Sequence, residues 1–250
     1  MQRKQFTQLL NDILKPDSIA DFCPNGLQVE GANEVKKIVT GVTASQALID
    51  AAIEHGADTI LVHHGYFWKG ESQPITGMKK RRIAALLAHD INLFAYHLPL
   101  DVHPVIGNNA QLAHLLDIEL SAGLEAGPNS VAVKGFLKTP LTGKEFADKI
   151  STVLHREPLT SLVRDDKIET IAWCTGGGQG YIDLAAAQGI DAYLTGEASE
   201  QTIHSSREQG IDFFAAGHHA TERYGIKALG ELLAEQHGFD VTFIDIDNPV

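Results

Sequence analysis

The strongest constraint on the fold is that this 250-residue chain repeats itself at long range. Shifting the sequence by 133 positions places residues 38–64 on residues 171–197 without a gap, with eight identities in 27 positions. Asp58 and Asp191 are one of the identical pairs. In both segments an apolar strand pattern precedes a helical pattern and a second strand pattern, which is the order of a βαβ unit. The repeat therefore predicts two related α/β halves.

The strand patterns indicate how these halves are built. Residues 59–62 are a continuous apolar, β-branched run, which is typical of a strand that is buried on both faces. We therefore predict interlinked α/β domains with largely parallel or mixed sheets covered by helices. Residues 123–129 are rich in small and turn-forming residues and indicate a linker. The predicted domains are residues 1–126 and residues 127–250, with the C-terminal segment free to pack back on the first domain.

The charge and the cysteine content exclude several classes of protein. Twenty Lys and Arg against 32 Asp and Glu leave a net charge of −12, which disfavours phosphate-driven binding to nucleic acids. No apolar run approaches the roughly 18–20 residues that span a bilayer, and no signal-peptide stretch is present at the N-terminus. Cys23 and Cys174 are far apart, which fits a reducing compartment. We expect a cytoplasmic protein without membrane or nucleic-acid partners.

Histidines at predicted strand ends are the most specific functional signal. His63 and His64 follow the run 59–62 directly, and neighbouring residues at a strand end leave the pleat, so the two rings can reach different ions. Asp101 follows the next predicted strand in a proline-containing loop. Ligands of parallel α/β sheets gather outside the carboxyl ends of the strands. A lone histidine at such a place is more often a hydrogen-bonded structural residue, but the combination favours metal binding.

The second half supplies a matching pair. His218 and Glu222 stand four positions apart in a helical segment that follows a predicted strand, so they share one helix face. Imidazole and carboxylate ligands without thiolate suit Zn²⁺, Mn²⁺, Fe²⁺ or Co²⁺. Five ligands exceed one tetrahedral structural site, and a carboxylate such as Glu222 can bridge two ions. Two divalent ions would activate water, which predicts a hydrolase acting on a small molecule.

Weaker signals surround these residues. His97 and Glu197 are candidates for moving protons, and a structural role is the alternative for Glu197. Gly177 and Gly178 lie in a glycine-rich loop that could bind an anionic substrate through backbone amides, with a tight turn as the alternative. His204 is a candidate for proton shuttling or substrate contact, with an ordinary surface or core histidine as the alternative.

The segment after the histidine pair carries two aromatic residues. Phe67 and Trp68 could form an aromatic lid over a base, and packing in the core is the alternative. No Gly-x-Ser-x-Gly elbow is present, and neither cysteine has a histidine near it in sequence, so the sequence indicates no nucleophile arrangement.

Several motifs together resemble one known family. They are NGLQVEG (25–31), ADTILVHHGYFWKG (57–70), HLPLDVHPVIGNNAQLA (97–113), WCTGGGQGYIDLA (173–185), TGEASEQTIHSSREQG (195–210) and AAGHHATERYGIKAL (215–229). They are similar to the YbgI-type proteins of the Nif-three-like family, often catalogued as GTP cyclohydrolase 1 type 2 homologues. The resemblance runs nearly from end to end, and the paired-histidine and HHxxxE motifs are specific.

The resemblance implies a metal site between two interlinked α/β domains and a homohexamer built as a trimer of dimers. By motif, the implied ligands of two divalent ions are His63, His64, Asp101, His218 and Glu222, with Glu222 as the bridge. The implied activity is hydrolysis of GTP or a related nucleotide. The alternatives are a hydrolase or oxidase of another small molecule, and a metal-binding hexameric scaffold or regulatory protein without cyclohydrolase activity.

Overall fold

The structure, a computed structural model, describes residues 1–127 and 130–250. The chain divides into two units. Unit 1 consists of Met1–Ile106 and Gly225–Asp247, and unit 2 consists of Gly107–Tyr224 and Asn248–Val250. Because the chain leaves unit 1, builds unit 2 and then returns, the two units are interlinked through the backbone.

Both units combine strands and helices. The strands are β1 (Gly26–Val29), β2 (Lys37–Thr43), β3 (Thr59–His64), β4 (Asn92–Ala95), β5 (Ile118–Gly123), β6 (Val133–Leu141), β7 (Leu159–Ser161), β8 (Ile168–Cys174), β9 (Ala192–Thr195), β10 (Asp212–Ala215) and β11 (Asp240–Phe243). The helices are α1 (Arg3–Leu14), α2 (Gln46–Glu54), α3 (Gly77–Ala88), α4 (Leu98–Asp101), α5 (Asn108–Leu115), α6 (Gly143–Leu154), α7 (Ile182–Ala187), α8 (Glu200–Gln209) and α9 (His218–His237). Pro16–Ser18 and Gln179–Tyr181 form short 3-10 turns.

The sheet of unit 1 has the strand order β1-β4-β3-β2-β11. Strands β4, β3, β2 and β11 are parallel, and β1 is antiparallel at the edge. Ile60 packs into a cluster with Leu48 of α2, whereas Leu61 packs into a second cluster with Leu10 of α1 and Leu229 of α9. Successive residues of β3 therefore enter different apolar clusters, which explains its continuous apolar run.

The sheet of unit 2 has the strand order β5-β6-β8-β9-β10-β7. Strands β8, β9 and β10 are parallel, and the other three pair antiparallel. The segment predicted as a linker follows β5 and precedes β6, which are antiparallel neighbours in this sheet. Its residues 128 and 129 lie outside the described part of the chain. The predicted fold class, two related α/β domains with mixed sheets, is confirmed.

The internal repeat is present in the topology. The four strands β1-β4-β3-β2 of unit 1 and β7-β10-β9-β8 of unit 2 have the same order and the same directions. The register is also the same, since Ile38 pairs with Thr59 in unit 1 and Ile171 pairs with Ala192 in unit 2. Both residues of the second pair lie 133 positions after those of the first, which is the shift found in the sequence.

The repeated aspartate performs the same task in each unit. The carboxylate of Asp58 accepts hydrogen bonds from the amides of Lys36 and Lys37, at 2.9 and 3.0 Å. The carboxylate of Asp191 accepts from the amides of residues 169 and 170, at 3.1 and 2.9 Å. Each aspartate precedes the second parallel strand and satisfies the backbone at the start of the first, so it helps to set their register.

The fold places the predicted functional residues at comparable positions in the two units. His63 and His64 end β3, and His97 lies two residues after β4. Glu197 lies two residues after β9, and His218 begins α9 after β10. Because these strands are parallel within each sheet, the residues of each unit lie at the carboxyl edge of its sheet. Among the described residues, no helix combines the length and apolarity that crossing a membrane requires.

Candidate metal centre

Three histidines lie together at the carboxyl edge of the unit 1 sheet. The ring centroids of His63 and His64 are 4.4 Å apart, and those of His63 and His97 are 5.1 Å apart. A ring nitrogen from each of the three lies within 4.8 Å of those of the other two. Converging imidazole nitrogens at this spacing could hold a divalent transition-metal ion.

His63 has the environment of a neutral metal ligand. Its Nδ1 lies 3.0 Å from the backbone carbonyl oxygen of Tyr96, which can only accept, so Nδ1 carries the hydrogen. Its Nε2 lies 3.5 Å from a carboxylate oxygen of Asp101, and both side chains are buried. A proton or a metal cation between a ring nitrogen and a carboxylate oxygen at this distance would satisfy both atoms.

His64 is oriented by a different partner. Thr43 and His64 are paired across strands β2 and β3, and the Thr43 hydroxyl lies 3.1 Å from His64 Nδ1. When Nδ1 donates to this hydroxyl, Nε2 is the nitrogen that can bind an ion. Adjacent histidines of one strand end are thus held by separate groups of the same unit.

His97 is bound to an aspartate that the sequence interpretation did not single out. His97 Nδ1 lies 2.7 Å from a carboxylate oxygen of Asp21. The same carboxylate accepts from the backbone amide of Leu98 at 2.9 Å and from the Asn25 side chain at 2.9 Å. Burial by itself would raise the pKa of Asp21, but the hydrogen bonds from His97 and Asn25 lower that pKa to about 2. Asp21 therefore holds His97 as an ionised carboxylate.

Asp21 was missed because nothing local connects it with its partner 76 positions later. It lies in an irregular segment before β1, as does Asn25, whose side chain accepts from the His97 amide at 2.7 Å. Cys23 lies close to the same pair. Burial, followed by the charge of Asp21, raises the pKa of the Cys23 thiol to about 12, so the thiol is protonated at neutral pH.

In unit 2, His218 lies between two carboxylates. Its Nδ1 is 2.7 Å from a carboxylate oxygen of Glu197, and its Nε2 is 3.1 Å from a carboxylate oxygen of Glu222. Burial by itself would lower the pKa of His218, but the bonds to Glu222 and Glu197 raise that pKa to about 9. The structure thus brings the two predicted ligands of this unit together and places Glu197 on the opposite nitrogen of the ring.

The glycine-rich loop packs directly against this cluster. Gly176 has φ +66°, and a Cβ atom there would collide with Glu222 Oε1 and lie 3.0 Å from His218 Nε2. The Gly176 amide donates to the Thr221 hydroxyl at 3.0 Å, and its carbonyl accepts from the Gly196 amide at 2.9 Å. Glycine is required here both for the left-handed backbone and for the close approach to the glutamate.

The three residues predicted to contact substrate lie in different surroundings. The Gly178 amide donates to the Thr195 hydroxyl at 3.0 Å, so this amide is used within the loop. Gly177 is exposed, and a Cβ atom there would lie 3.8 Å from the Glu197 carboxylate. His204 lies on α8 with 61% of its side chain exposed. Gly177 is thus an exposed glycine of this loop beside Glu197.

Two neighbouring glycines of the glycine-rich loop predict opposite effects of the same substitution. We expect Gly176→Ala to lower the free energy of unfolding by more than about 1 kcal/mol, because alanine disfavours a positive φ and its methyl group displaces Glu222. Gly177→Ala should change that free energy by less than about 0.5 kcal/mol, since a methyl group there meets only ordinary contacts. Urea unfolding of both variants measures the difference, and equal tolerance of the two would contradict the close packing.

The Asp21 cluster predicts a specific dependence of stability on pH. Since the pKa of Asp21 falls from 3.8 to about 2 on folding, its ionised form stabilises the fold above pH 4, and this contribution is lost as pH falls through 2. Asp21→Asn should lower the free energy of unfolding by about 1–3 kcal/mol at pH 7, because its amide cannot accept all these hydrogen bonds.

Urea unfolding at pH 7, 4, 3 and 2 tests this expectation. The difference between the variant and the parent protein should shrink from pH 4 to pH 2, as the parent loses its ionised carboxylate. Asp17→Asn, the same change at an exposed position, is the control and should have little effect at any of these pH values. If the difference in the free energy of unfolding between Asp21→Asn and the parent stays constant down to pH 2, the charge of the Asp21 carboxylate does not contribute to stability.

Comparison with known proteins identifies the family. The chain matches the model of the family described as Duf34/NIF3 (NGG1p interacting factor 3) over residues 1–249. Proteins named GTP cyclohydrolase 1 type 2 homolog from Vibrio cholerae and Haemophilus influenzae are 64% and 65% identical to it, over 252 and 250 residues and 100% of each chain. A solved structure described as protein ybgI, of unknown function, is 56% identical, with a TM-score of 0.97 over 100% of both chains. On this evidence of sequence and fold over its whole length, the chain belongs to the DUF34/NIF3 family.

Proposed function

We propose that this protein binds two divalent metal ions and hydrolyses GTP or a related nucleotide. The proposed ligands are His63, His64 and Asp101 of unit 1 and His218 and Glu222 of unit 2. The observation that carries the proposal is the buried pair of His63 and Asp101. Because Nδ1 of His63 donates to a carbonyl, its Nε2 and the Asp101 carboxylate would be the groups that hold a divalent cation.

The chemistry of the donor set supports a catalytic ion. Imidazole and carboxylate groups suit Zn²⁺, Mn²⁺, Fe²⁺ or Co²⁺, and these ions supply Lewis-acid activation of water when bound. The curated relatives from two bacteria are named as homologues of a GTP cyclohydrolase, which supports a nucleotide substrate. In the proposed reaction one water opens the guanine five-membered ring at C8, and a second releases that carbon as formate.

The residues beside the proposed ligands have separate tasks in this reaction. His97 exchanges protons through Nε2, since its Nδ1 is bound to Asp21. Glu197 binds Nδ1 of His218, so it orients that ring and can share its proton. The exposed residue Gly177, beside Glu197, is a proposed contact for an anionic group of the substrate, together with the Gly178 loop. His204 is a proposed contact farther along the chain on α8.

The assembly and the compartment are further parts of the proposal. From the family resemblance we propose a homohexamer built as a trimer of dimers, acting in the cytoplasm on a small-molecule substrate. Light scattering on the purified protein tests the hexamer, and a smaller particle would contradict it. The second candidate function, a metal-binding scaffold without cyclohydrolase activity, is favoured by the fact that His63, Asp101 and Glu222 are all buried.

Metal content tests the ligand assignment. We expect elemental analysis of protein purified without added metal to find close to two divalent ions per chain, and far fewer in Glu222→Ala, because a carboxylate that would hold them is lost. Glu231→Ala is the matched control, since Glu231 lies on the same helix but is exposed. Substoichiometric metal that neither substitution changes would mean that the five residues are ordinary structural groups.

Turnover separates the two candidate functions. Metal-loaded protein should consume GTP and release formate, and Glu222→Ala should reduce the rate by at least about 100-fold while Glu231→Ala leaves it unchanged. If the loaded protein binds two ions but consumes no GTP, the cyclohydrolase activity is excluded. A screen of phosphodiesters, amides and other nucleotides would then distinguish another hydrolase from a scaffold.

A further inference from the structure

The loop that follows the histidine pair forms a cavity within unit 1. The cavity has a volume of about 380 Å³, in the range of small-molecule sites. The residues that matter for its chemistry are Phe67, Trp68, Lys69, Glu71, Gln73 and Lys79. We propose that this cavity binds a planar heteroaromatic ring that carries phosphate, with Phe67 as the stacking surface and Lys69 as the phosphate contact. The inference rests on the proposed function and deepens it by assigning the substrate a binding subsite in unit 1.

The backbone of this loop is held in place from outside the loop. The Gln28 side chain accepts from the Tyr66 amide at 2.7 Å and donates to the Tyr66 carbonyl at 3.1 Å. The Lys69 amide donates to the Phe22 carbonyl at 2.7 Å. Because both ends of the short segment around Phe67 are fixed, a ligand would not have to order it on binding.

Phe67 has a conformation that bulky residues rarely adopt. Its φ is +65°, in the left-handed region, where a bulky aromatic residue is strained. The ring nevertheless stays 39% exposed. The Lys79 ammonium lies 4.9 Å from its centroid, over one face. The ring also lies nearly perpendicular to the ring of the buried Tyr66, with centroids 6.3 Å apart. A strained backbone that leaves this aromatic residue partly exposed fits a platform on which a heteroaromatic ring stacks.

The two lysines of the cavity have different tasks. Lys79 Nζ lies 3.0 Å from the Glu71 carboxylate and donates to the Ser72 carbonyl at 3.0 Å, so it holds the loop together. Lys69 is exposed at the cavity. Two lysines against one glutamate give the cavity a local positive charge in a chain whose net charge is −12. That local sign suits the phosphate of a nucleotide.

The cavity adjoins the histidine cluster of the same unit. Trp68, which lines the cavity, packs edge-on against the His97 ring, with centroids 4.8 Å apart. Its ring also lies 6.0 Å from that of His64. The indole N–H of Trp68 donates to the Gly65 carbonyl at 3.1 Å, which fixes the ring between the cavity and the histidines. Only the Trp68 side chain therefore lies between a ring stacked on Phe67 and His97, the proposed catalytic histidine.

Equilibrium binding of guanosine and of GTP to the full-length protein tests the inference. Trp68 is one of two tryptophans, and the other, Trp173, is fully buried in unit 2, so a change in tryptophan fluorescence reports binding beside Trp68. The Phe67 and Lys69 variants then separate binding at the cavity from binding at the histidine cluster. Phe67→Ala should weaken both ligands about tenfold, since both lose the stacking surface. Lys69→Ala should weaken GTP about tenfold and leave guanosine unchanged, because only GTP carries phosphate.

Two further variants make the result specific. Phe67→Gly relieves the positive φ, so the protein should be at least as stable to urea as the parent while losing the same affinity. Lys80→Ala removes an equal charge from an exposed neighbour outside the cavity lining and should leave both affinities unchanged. Parent-like affinity in the Phe67 and Lys69 variants overturns the cavity assignment and leaves the metal-dependent function standing. A parent protein that binds neither ligand also overturns it, and metal content then decides the proposed function separately.

Discussion

Each histidine of the candidate centre has a partner from its own unit on Nδ1. In unit 1, His63 donates to a backbone carbonyl, His64 contacts a threonine hydroxyl and His97 binds a carboxylate. In unit 2, His218 binds Glu197 through Nδ1. A bond at Nδ1 orients the ring and so sets the direction in which Nε2 points, which is towards Asp101 for His63 and towards Glu222 for His218. The chemistry proposed for this protein depends on that constraint, because Nε2 is the ring nitrogen left for an ion or a substrate to share.

The two units show how one topology supports different chemistry at equivalent positions. The shift that superposes their strands places Glu197 on His64, so a ligand candidate in unit 1 corresponds to a residue that orients a histidine in unit 2. The aspartates that satisfy the strand starts are unchanged, because both sheets need the same backbone hydrogen bonds there. The residue type is the same in both units where the shared backbone needs its hydrogen bonds, whereas the residue types at the strand ends differ.

Close packing around the charged groups explains two features that look unfavourable in isolation. Gly176 removes a side chain from the place that Glu222 occupies, which allows a buried carboxylate to reach His218. Phe67 retains a strained backbone because Gln28 and the Phe22 carbonyl hold the residues on either side of it. In both places the surrounding hydrogen bonds determine a backbone conformation that local preference alone would disfavour.

Much of this protein follows from local sequence patterns. Local patterns predict the strand and helix periodicities and the repeat at 133 positions. They also predict that His63, His64 and His218 lie at or just after the ends of strands, because periodicity and strand ends are short-range features. Other features were decided by tertiary structure alone. Asp21 reaches His97 across 76 positions, and β11 returns to pair with β2. Tertiary structure alone also decided the left-handed backbone of Phe67 and the two carboxylates that contact His218. Such contacts join distant segments, and packing and hydrogen-bond satisfaction select them, so no local pattern encodes them.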